Sequence, residues 1–215
     1  MRYKYLPSFV KRRGRITKNQ EDNLAHLSRF EINSFEDILL AKESFSRLVL
    51  EIGFGNGENT LALAKANPET LYIGSEVYLA GIGFLLGEVI DKELANIRVT
   101  SGDIRLLIDQ IKVPIFDDIV IICPDPWPKL KHHKRRMLTK EFLELVHPII
   151  KDGGNLFMST DWENYAESID EVISASGKYE RLDSSIYEES DLTKFQKRAM
   201  QEDRNIYSFS LKKLS

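Results

Sequence analysis

Leu48-Val49-Leu50-Glu51-Ile52-Gly53-Phe54-Gly55-Asn56-Gly57 is the stretch whose reading decides the fold. A short apolar run stops at glycine, which predicts a buried strand entering a tight turn. A helix over 59–66 follows and is closed by Asn67-Pro68, because the residue before a proline disfavours the α region. The alternation then repeats. A strand at 71–74 closes at Glu76, a helix runs over 79–92 through Gly81, Gly83 and Gly87, and a strand at 97–99 ends at Gly102-Asp103. A short helix over 104–111 leads to a fourth apolar strand, Asp118-Ile119-Val120-Ile121-Ile122. Strands alternating with helices predict an α/β fold built on a doubly wound, mostly parallel sheet.

Upstream, Ser34 suits a helix cap before Phe35. Downstream, Thr139 caps a helix carrying Phe142, Leu143, Leu145 and Val146, and Lys151-Asp152-Gly153-Gly154 reads as a turn before a strand at 155–160. Asp161 opens a helix to about Ala175. Late strands are expected at 179–182 and 205–211, the last alternating apolar and polar residues as an antiparallel C-terminal strand does. Ligands in such sheets lie beyond the carboxyl ends of the strands. Gly53, Glu76, Gly102-Asp103 and Pro124-Asp125 each close a predicted strand, so four strand ends offer glycine or carboxylate.

The bulk numbers bound the possibilities. A chain of 215 residues with 42% hydrophobic content fits one large domain, here 21–215, preceded by a flexible basic arm at 1–20. One cysteine excludes a disulfide framework and a Cys-based zinc site, and His132-His133 in a lysine-rich stretch makes a poor metal site, so no metal is expected. No apolar stretch approaches the roughly 18 residues of a membrane span, and no signal-peptide core follows the basic start, so a cytoplasmic location is expected. The net charge of -3 hides segregation. Residues 1–20 carry Arg2, Lys4, Lys11, Arg12, Arg13, Arg15 and Lys18 without an acid, and residues 126–140 carry Lys129, Lys131, Lys134, Arg135, Arg136 and Lys140, also without one. Two pure basic segments suit a polyanion, against the plainer reading of solvated charge runs.

Gly53, Gly55 and Gly57 are spaced G-x-G-x-G. A dinucleotide fingerprint requires a further glycine where Glu58 stands, and Glu51 and Glu58 bracket the turn with negative charge. Two carboxylates oppose a pyrophosphate and favour a phosphate-free, cationic cofactor such as S-adenosylmethionine. Glu76 then suits the two ribose hydroxyls and Asp103 the adenine amino group, although both also suit a helix cap or first turn.

Ile122-Cys123-Pro124-Asp125-Pro126-Trp127-Pro128-Lys129 is the second signature. Three prolines in five positions remove backbone freedom and backbone donors. Asp125 is placed to accept from adjacent donors on a purine edge. Trp127 suits stacking on a base or filling space beneath the loop. Lys129, His133, Lys134, Arg135 and Arg136 read as a phosphate-binding strip. Cys123 reads as a small core residue rather than a nucleophile.

These residues resemble the bacterial tRNA (guanine-N7)-methyltransferases. The likeness runs through Arg12-Arg13-Gly14-Arg15-Ile16-Thr17, the glycine turn, Gly74-Ser75-Glu76-Val77, the block from Pro124 to Arg136, Thr160-Asp161-Trp162 and Thr193-Lys194-Phe195-Gln196. The resemblance implies a Rossmann-like class I methyltransferase fold, S-adenosylmethionine as methyl donor, and guanine 46 of the tRNA variable loop as target. It also implies cofactor contacts at Glu51, Gly53, Gly55, Gly57, Glu76, Asp103 and Asp125, with Asp125 central to catalysis. Lys129, Asp161, Thr193, Lys194, Phe195 and Gln196 fall to the tRNA. Gln196 stands where the family usually has glutamate, and Ile104 where it usually has alanine.

Other readings stay open on the residues alone. Methylation of an exocyclic base amine uses an Asp/Asn-Pro-Pro-aromatic arrangement, and here Trp127 directly follows Asp125-Pro126. A small-molecule methyltransferase has no use for the basic segments. A non-catalytic RNA-binding protein has no use for intact glycines. Both a monomer and a homodimer are compatible with the sequence.

Overall fold

The computed structural model describes residues 4–9, 16–183 and 204–214. They divide into two compact units, residues 11–111 and residues 1–10 with 112–215.

In the first unit β1 (Arg47–Ile52), β2 (Thr70–Glu76) and β3 (Ile97–Ser101) are parallel neighbours in the order β3-β2-β1. Their side chains are buried along almost their whole length, as parallel strands covered by helices require. Helices α3 (Glu58–Ala66) and α4 (Leu79–Asp91) follow β1 and β2, and the short α5 (Ile104–Ile108) follows β3. Helix α2 (Phe35–Lys42) starts at Ser34, which makes the expected cap as a full capping box with Asp37. The glycines of α4 are there for close approach. A Cβ on Gly83 would stand 2.5 Å from the Gln20 carbonyl of α1 (Lys18–Leu24), and Asn23 of α1 donates to the Gly83 carbonyl at 2.9 Å. Residues 18–20, read from sequence as arm, are therefore the first turn of a packed helix, closed by a Thr17–Gln20 capping box.

In the second unit β4 (Phe116–Ile122), β5 (Ile150–Thr160), β7 (Tyr207–Lys213) and β6 (Tyr179–Arg181) lie side by side in that order. Strands β4 and β5 are parallel. Strand β7 is antiparallel to both β5 and β6, which gives the antiparallel C-terminal strand expected from its alternation. Helix α6 (Lys140–Val146) carries the Thr139 cap, and α7 (Glu163–Ser176) follows β5. Two expectations shift. Residues 151–154 are an excursion within β5 rather than a turn before it, because Phe116 pairs with Ile150 and Asp118 with Asn155. Helix α7 is capped at Trp162, not at Asp161. Seven strands, mostly parallel, with interspersed helices fulfil the predicted α/β class among the described residues.

A buried polar side chain ties the first unit together away from the strand ends. Asn96, 3% exposed, donates through its amide to the carbonyls of Ala64, Asn67 and Thr70 at 2.9–3.1 Å. Its replacement leaves buried acceptors unsatisfied, so Asn96→Ala should lower unfolding free energy by about 1–3 kcal/mol, read as a lower urea midpoint at unchanged slope.

Candidate functional site

In the first unit the predicted residues come together at the carboxyl ends of β1, β2 and β3. Gly53, Gly55 and Gly57 all have positive φ (76°, 62° and 83°), a run that only glycine adopts without strain. The turn is held by Glu76 at the end of β2. Its Oε2 accepts from the Gly55 N–H at 2.9 Å, and its Oε1 accepts from the Val77 and Tyr78 N–H groups at 2.6 and 2.9 Å. Glu76 is therefore half-buried at a strand end and loaded with backbone donors. Gly57 caps α3 in the left-handed conformation, and a Cβ there would meet Leu85 at 2.7 Å. A Cβ on Gly81 would lie 2.0 Å from the Gly55 carbonyl, so the backbone of α4 forms one wall of the turn. Gly53 and Gly102 face open space, with nothing within 4 Å of a built Cβ. The strand ends thus present an open, glycine-lined edge beside a carboxylate, which fits a ribose and a cationic ligand.

Glu51 takes a different place from the one its sequence context suggested. It is 3% exposed, and the Thr60 hydroxyl donates to it at 2.5 Å. Burial pushes its carboxyl up to about 7, against the pull of the Thr60 and Asn59 side chains. Near neutral pH it is thus only partly ionised, and it braces the start of α3 from inside. Thr60 was missed in the sequence, where a threonine nine residues beyond Glu51 carries no signal. Asp103 caps α5, and its two oxygens are taken by Arg105 at 2.8 and 2.6 Å. The cap reading of Asp103 is the one the structure displays. Arg105 is a second residue that sequence reasoning missed.

The second unit carries the proline loop after β4. Cys123 and Trp127 both have φ of 46°, a strained conformation for residues with a side chain. Asp125 between them is exposed. The Trp127 indole N–H donates to the Ser8 carbonyl at 2.9 Å, the Arg135 guanidinium lies 4.8 Å from its ring centroid, and the His132 ring stands nearly perpendicular to it with centroids 5.7 Å apart. Trp127 is therefore built into the loop rather than held out for stacking. Residues 4–9, expected within the flexible arm, include this partner, and Ser8 is buried. Burial first, and Asp161 second, push the Cys123 thiol up to about 12, which fits a core residue and not a nucleophile.

The basic strip is a short 3-10 helix, Leu130–Arg135. Lys129, Lys131 and Lys134 are exposed. Arg136 is not part of that surface. At 7% exposure it donates inward, a correction to its reading as a phosphate contact. Asp161, at the end of β5, pairs with Arg204 at 2.5 Å, with side-chain exposures of 12% and 30%. Thr193, Lys194, Phe195 and Gln196, like Arg12 to Arg15, lie outside the described residues. Among the described residues no cluster of metal-ligating side chains occurs, and no helix is long and apolar enough to cross a membrane.

A family model described as "Putative methyltransferase" matches residues 46–209. The tRNA (guanine-N(7)-)-methyltransferase of Nitrosococcus oceani is 39% identical over 97% of this chain and 91% of its own length. The enzyme of the same name from Colwellia psychrerythraea is 38% identical over 89% and 82%. Among solved structures, the 16S rRNA methyltransferase KamB superposes with a TM-score of 0.64 at 12% identity over 86% of this chain and 95% of that one. An antibiotic-related methyltransferase gives a TM-score of 0.62 at 20% identity over 86% and 96%. The structural likenesses establish the class I methyltransferase fold.

Two measurements follow from this geometry. A carboxyl whose pKa is raised on folding stabilises the fold below its unfolded value and loses that contribution as pH climbs through its folded value. Glu51→Gln should therefore gain stability relative to the wild type between about pH 4.5 and 7, by on the order of 3 kcal/mol, and hold it above, as read from urea unfolding at stepped pH. Gly81→Ala, which drives a methyl into the Gly55 carbonyl, should lower unfolding free energy by about 1–3 kcal/mol, read as a lower urea midpoint.

Proposed function

We propose that this chain, which belongs to the tRNA (guanine-N7)-methyltransferase family, transfers a methyl group from S-adenosylmethionine to N7 of a guanine in tRNA, at position 46 of the variable loop. The observation that supports this reading most directly is 39% identity to a relative of that name spread over 97% of the chain. Such an enzyme works where tRNA is, in the cytoplasm.

Bound S-adenosylmethionine supplies a methyl group already activated by its sulfonium. In this reading Gly53, Gly55 and Gly57 let the backbone approach it. Glu76 meets the ribose hydroxyls, and Asp103 takes the adenine edge, for which Arg105 must share or release its carboxylate. Glu51 acts from below, through Thr60 and the start of α3. The open edge at Gly53 and Gly102 and the carboxylate of Glu76 between them favour this assignment.

Guanine N7 has a free lone pair at neutral pH, so no strong base is needed before attack. Alignment and charge compensation are what the protein must supply. Methylation puts a positive charge on the imidazole ring of the base, and the exposed carboxylate of Asp125 stabilises it and orients the purine. Lys129 and the exposed cations of the strip hold phosphates. Asp161 recognises the base or its neighbours, and the segment from Thr193 to Gln196 completes the tRNA contact, with an amide at Gln196 in place of a charge. The basic arm adds sequence-independent affinity for folded RNA.

Asp125→Asn should still bind S-adenosylmethionine and lose most methyl transfer in a tritiated-methyl tRNA assay; an equally active variant would refute the role. Nucleoside analysis of tRNA treated with enzyme and donor should show N7-methylguanosine, whereas a methylated exocyclic amine would point to the rival chemistry. Replacing Lys11, Arg12, Arg13 and Arg15 together by alanine should weaken tRNA binding and flatten its salt dependence, with donor affinity unchanged.

A further inference from the structure

The loop that carries Asp125 is short of ways to hold itself. Pro124, Pro126 and Pro128 have no N–H to donate. Cys123 and Trp127, on either side, sit in the left-handed region at φ 46°. Each such residue costs about 1–3 kcal/mol and persists only where its surroundings over-determine it. Something outside the loop must do so.

Arg136 is built for that task. Its Nε donates at 3.0 Å to the carbonyl of Pro126, the residue directly after Asp125. Nη1 donates to the Asn164 carbonyl at 3.4 Å, and Nη2 to the Asn164 Oδ1 at 3.0 Å and to His133 Nε2 at 3.1 Å. The guanidinium carbon lies 4.7 Å from the ring centroid of Tyr165, which is wholly buried and accepts the Leu138 N–H on its hydroxyl at 2.8 Å. The guanidinium therefore bridges the loop to the first turn of α7 and rests on a core aromatic. Only a planar fork of donors reaches all these acceptors at once. At 7% exposure it has little surface left for a phosphate, unlike its neighbours Lys131 and Lys134.

We infer that Arg136 is a positioning residue for Asp125, fixing the backbone beside the catalytic carboxylate, and that it takes no direct part in gripping RNA. This rests on the reading of Asp125 as the catalytic residue.

The test separates charge from geometry. Arg136→Lys keeps the cation and discards the fork, so a residue acting on RNA by charge should survive the change, whereas a positioning residue should not. The expected result for Arg136→Lys is a fall in kcat of about 10- to 100-fold, since small misplacements of a reacting group cost that much. Its tRNA Kd and the salt slope of that Kd should stay within about twofold of the wild type, and donor affinity should be unchanged. Lys134→Ala is the contrast on binding, and it should weaken tRNA binding and reduce the salt slope by roughly 0.7–0.9. Asn164→Ala removes one anchor without touching charge and should lower kcat several-fold. Thermal melts check folding of each variant, and if Arg136→Lys does not melt cooperatively, Asn164→Ala decides. The inference is overturned if Arg136→Lys loses tRNA affinity and salt slope while keeping kcat, or if kcat is unaffected in the folded variant. Full activity of Asp125→Asn would instead remove the reading of Asp125, and this inference with it.

Discussion

A strand that ends in alternating prolines surrenders the backbone donors that ordinarily tie down a loop, and the second half of this protein is organised around that deficit. The carbonyls of the loop remain, and side chains from elsewhere come to them. Arg136 takes the Pro126 carbonyl, and the Cys123 N–H, one of the few donors left, goes to Ser159 at 3.0 Å. The Trp127 indole fixes its own end on the Ser8 carbonyl. The glycine turn after β1 meets the opposite situation. It keeps its N–H groups, and the carboxylate of Glu76 takes that of Gly55 together with the two that follow β2, from Val77 and Tyr78. Donor-poor and donor-rich loops are thus each closed by side chains of the complementary kind, a cation for carbonyls and an anion for N–H groups. At Gly53 the end of β1 stays open, with nothing within 4 Å of a built Cβ, which is what a ligand edge requires.

The acids that looked alike in the sequence have been given unlike electrostatic lives. Glu51 is buried against a hydroxyl and titrates near neutrality. Glu76 is neutralised by backbone dipoles, Asp103 by a two-point pair with Arg105, and Asp161 by Arg204. The charge argument against a pyrophosphate therefore loses part of its force at Glu51 and leans on Glu58. Burial decides this, and burial of a single polar residue at the end of an apolar strand is invisible to periodicity. Leu50 and Ile52 flank Glu51 in a run that is buried on both faces, so its environment was fixed by neighbours in space rather than in sequence.

Legibility followed the same division. Elements with a strong local signal were readable to within a residue or two: the apolar parallel strands, Ser34 and Thr139 as caps, Asn67-Pro68 as a stop. Lys151-Asp152-Gly153-Gly154 misled because turn residues also serve inside a strand as an excursion, and only pairing with β4 tells the two apart. Asp161 misled because a carboxylate before a helix suits a cap, yet an arginine more than forty residues later claimed it. At the site, the positions of glycines and acids at strand ends were legible. Their partners Thr60 and Arg105, and the Arg136 and Ser8 contacts of the proline loop, were not: Ser8 lies 119 residues from Trp127, and even Arg105, two residues from Asp103, carries no mark in the sequence of the pair it forms.

The basic block shows why composition overstates a surface. Six cations without an acid between residues 126 and 140 suggest a uniform strip for phosphates. Folding sorts them. Arg136 turns inward to hold carbonyls, and Arg135 lies over the Trp127 ring, where a guanidinium is weakly hydrated and stacks well. The lysines, whose ammonium groups are costly to strip of water, stay outside. Arginine and lysine thus divide the labour by their hydration and shape: the planar cations build the loop, and the compact ones remain at the surface, where a polyanion meets them. A run of mixed Arg and Lys beside a proline-rich turn is then better read as scaffold and surface interleaved than as a single binding patch.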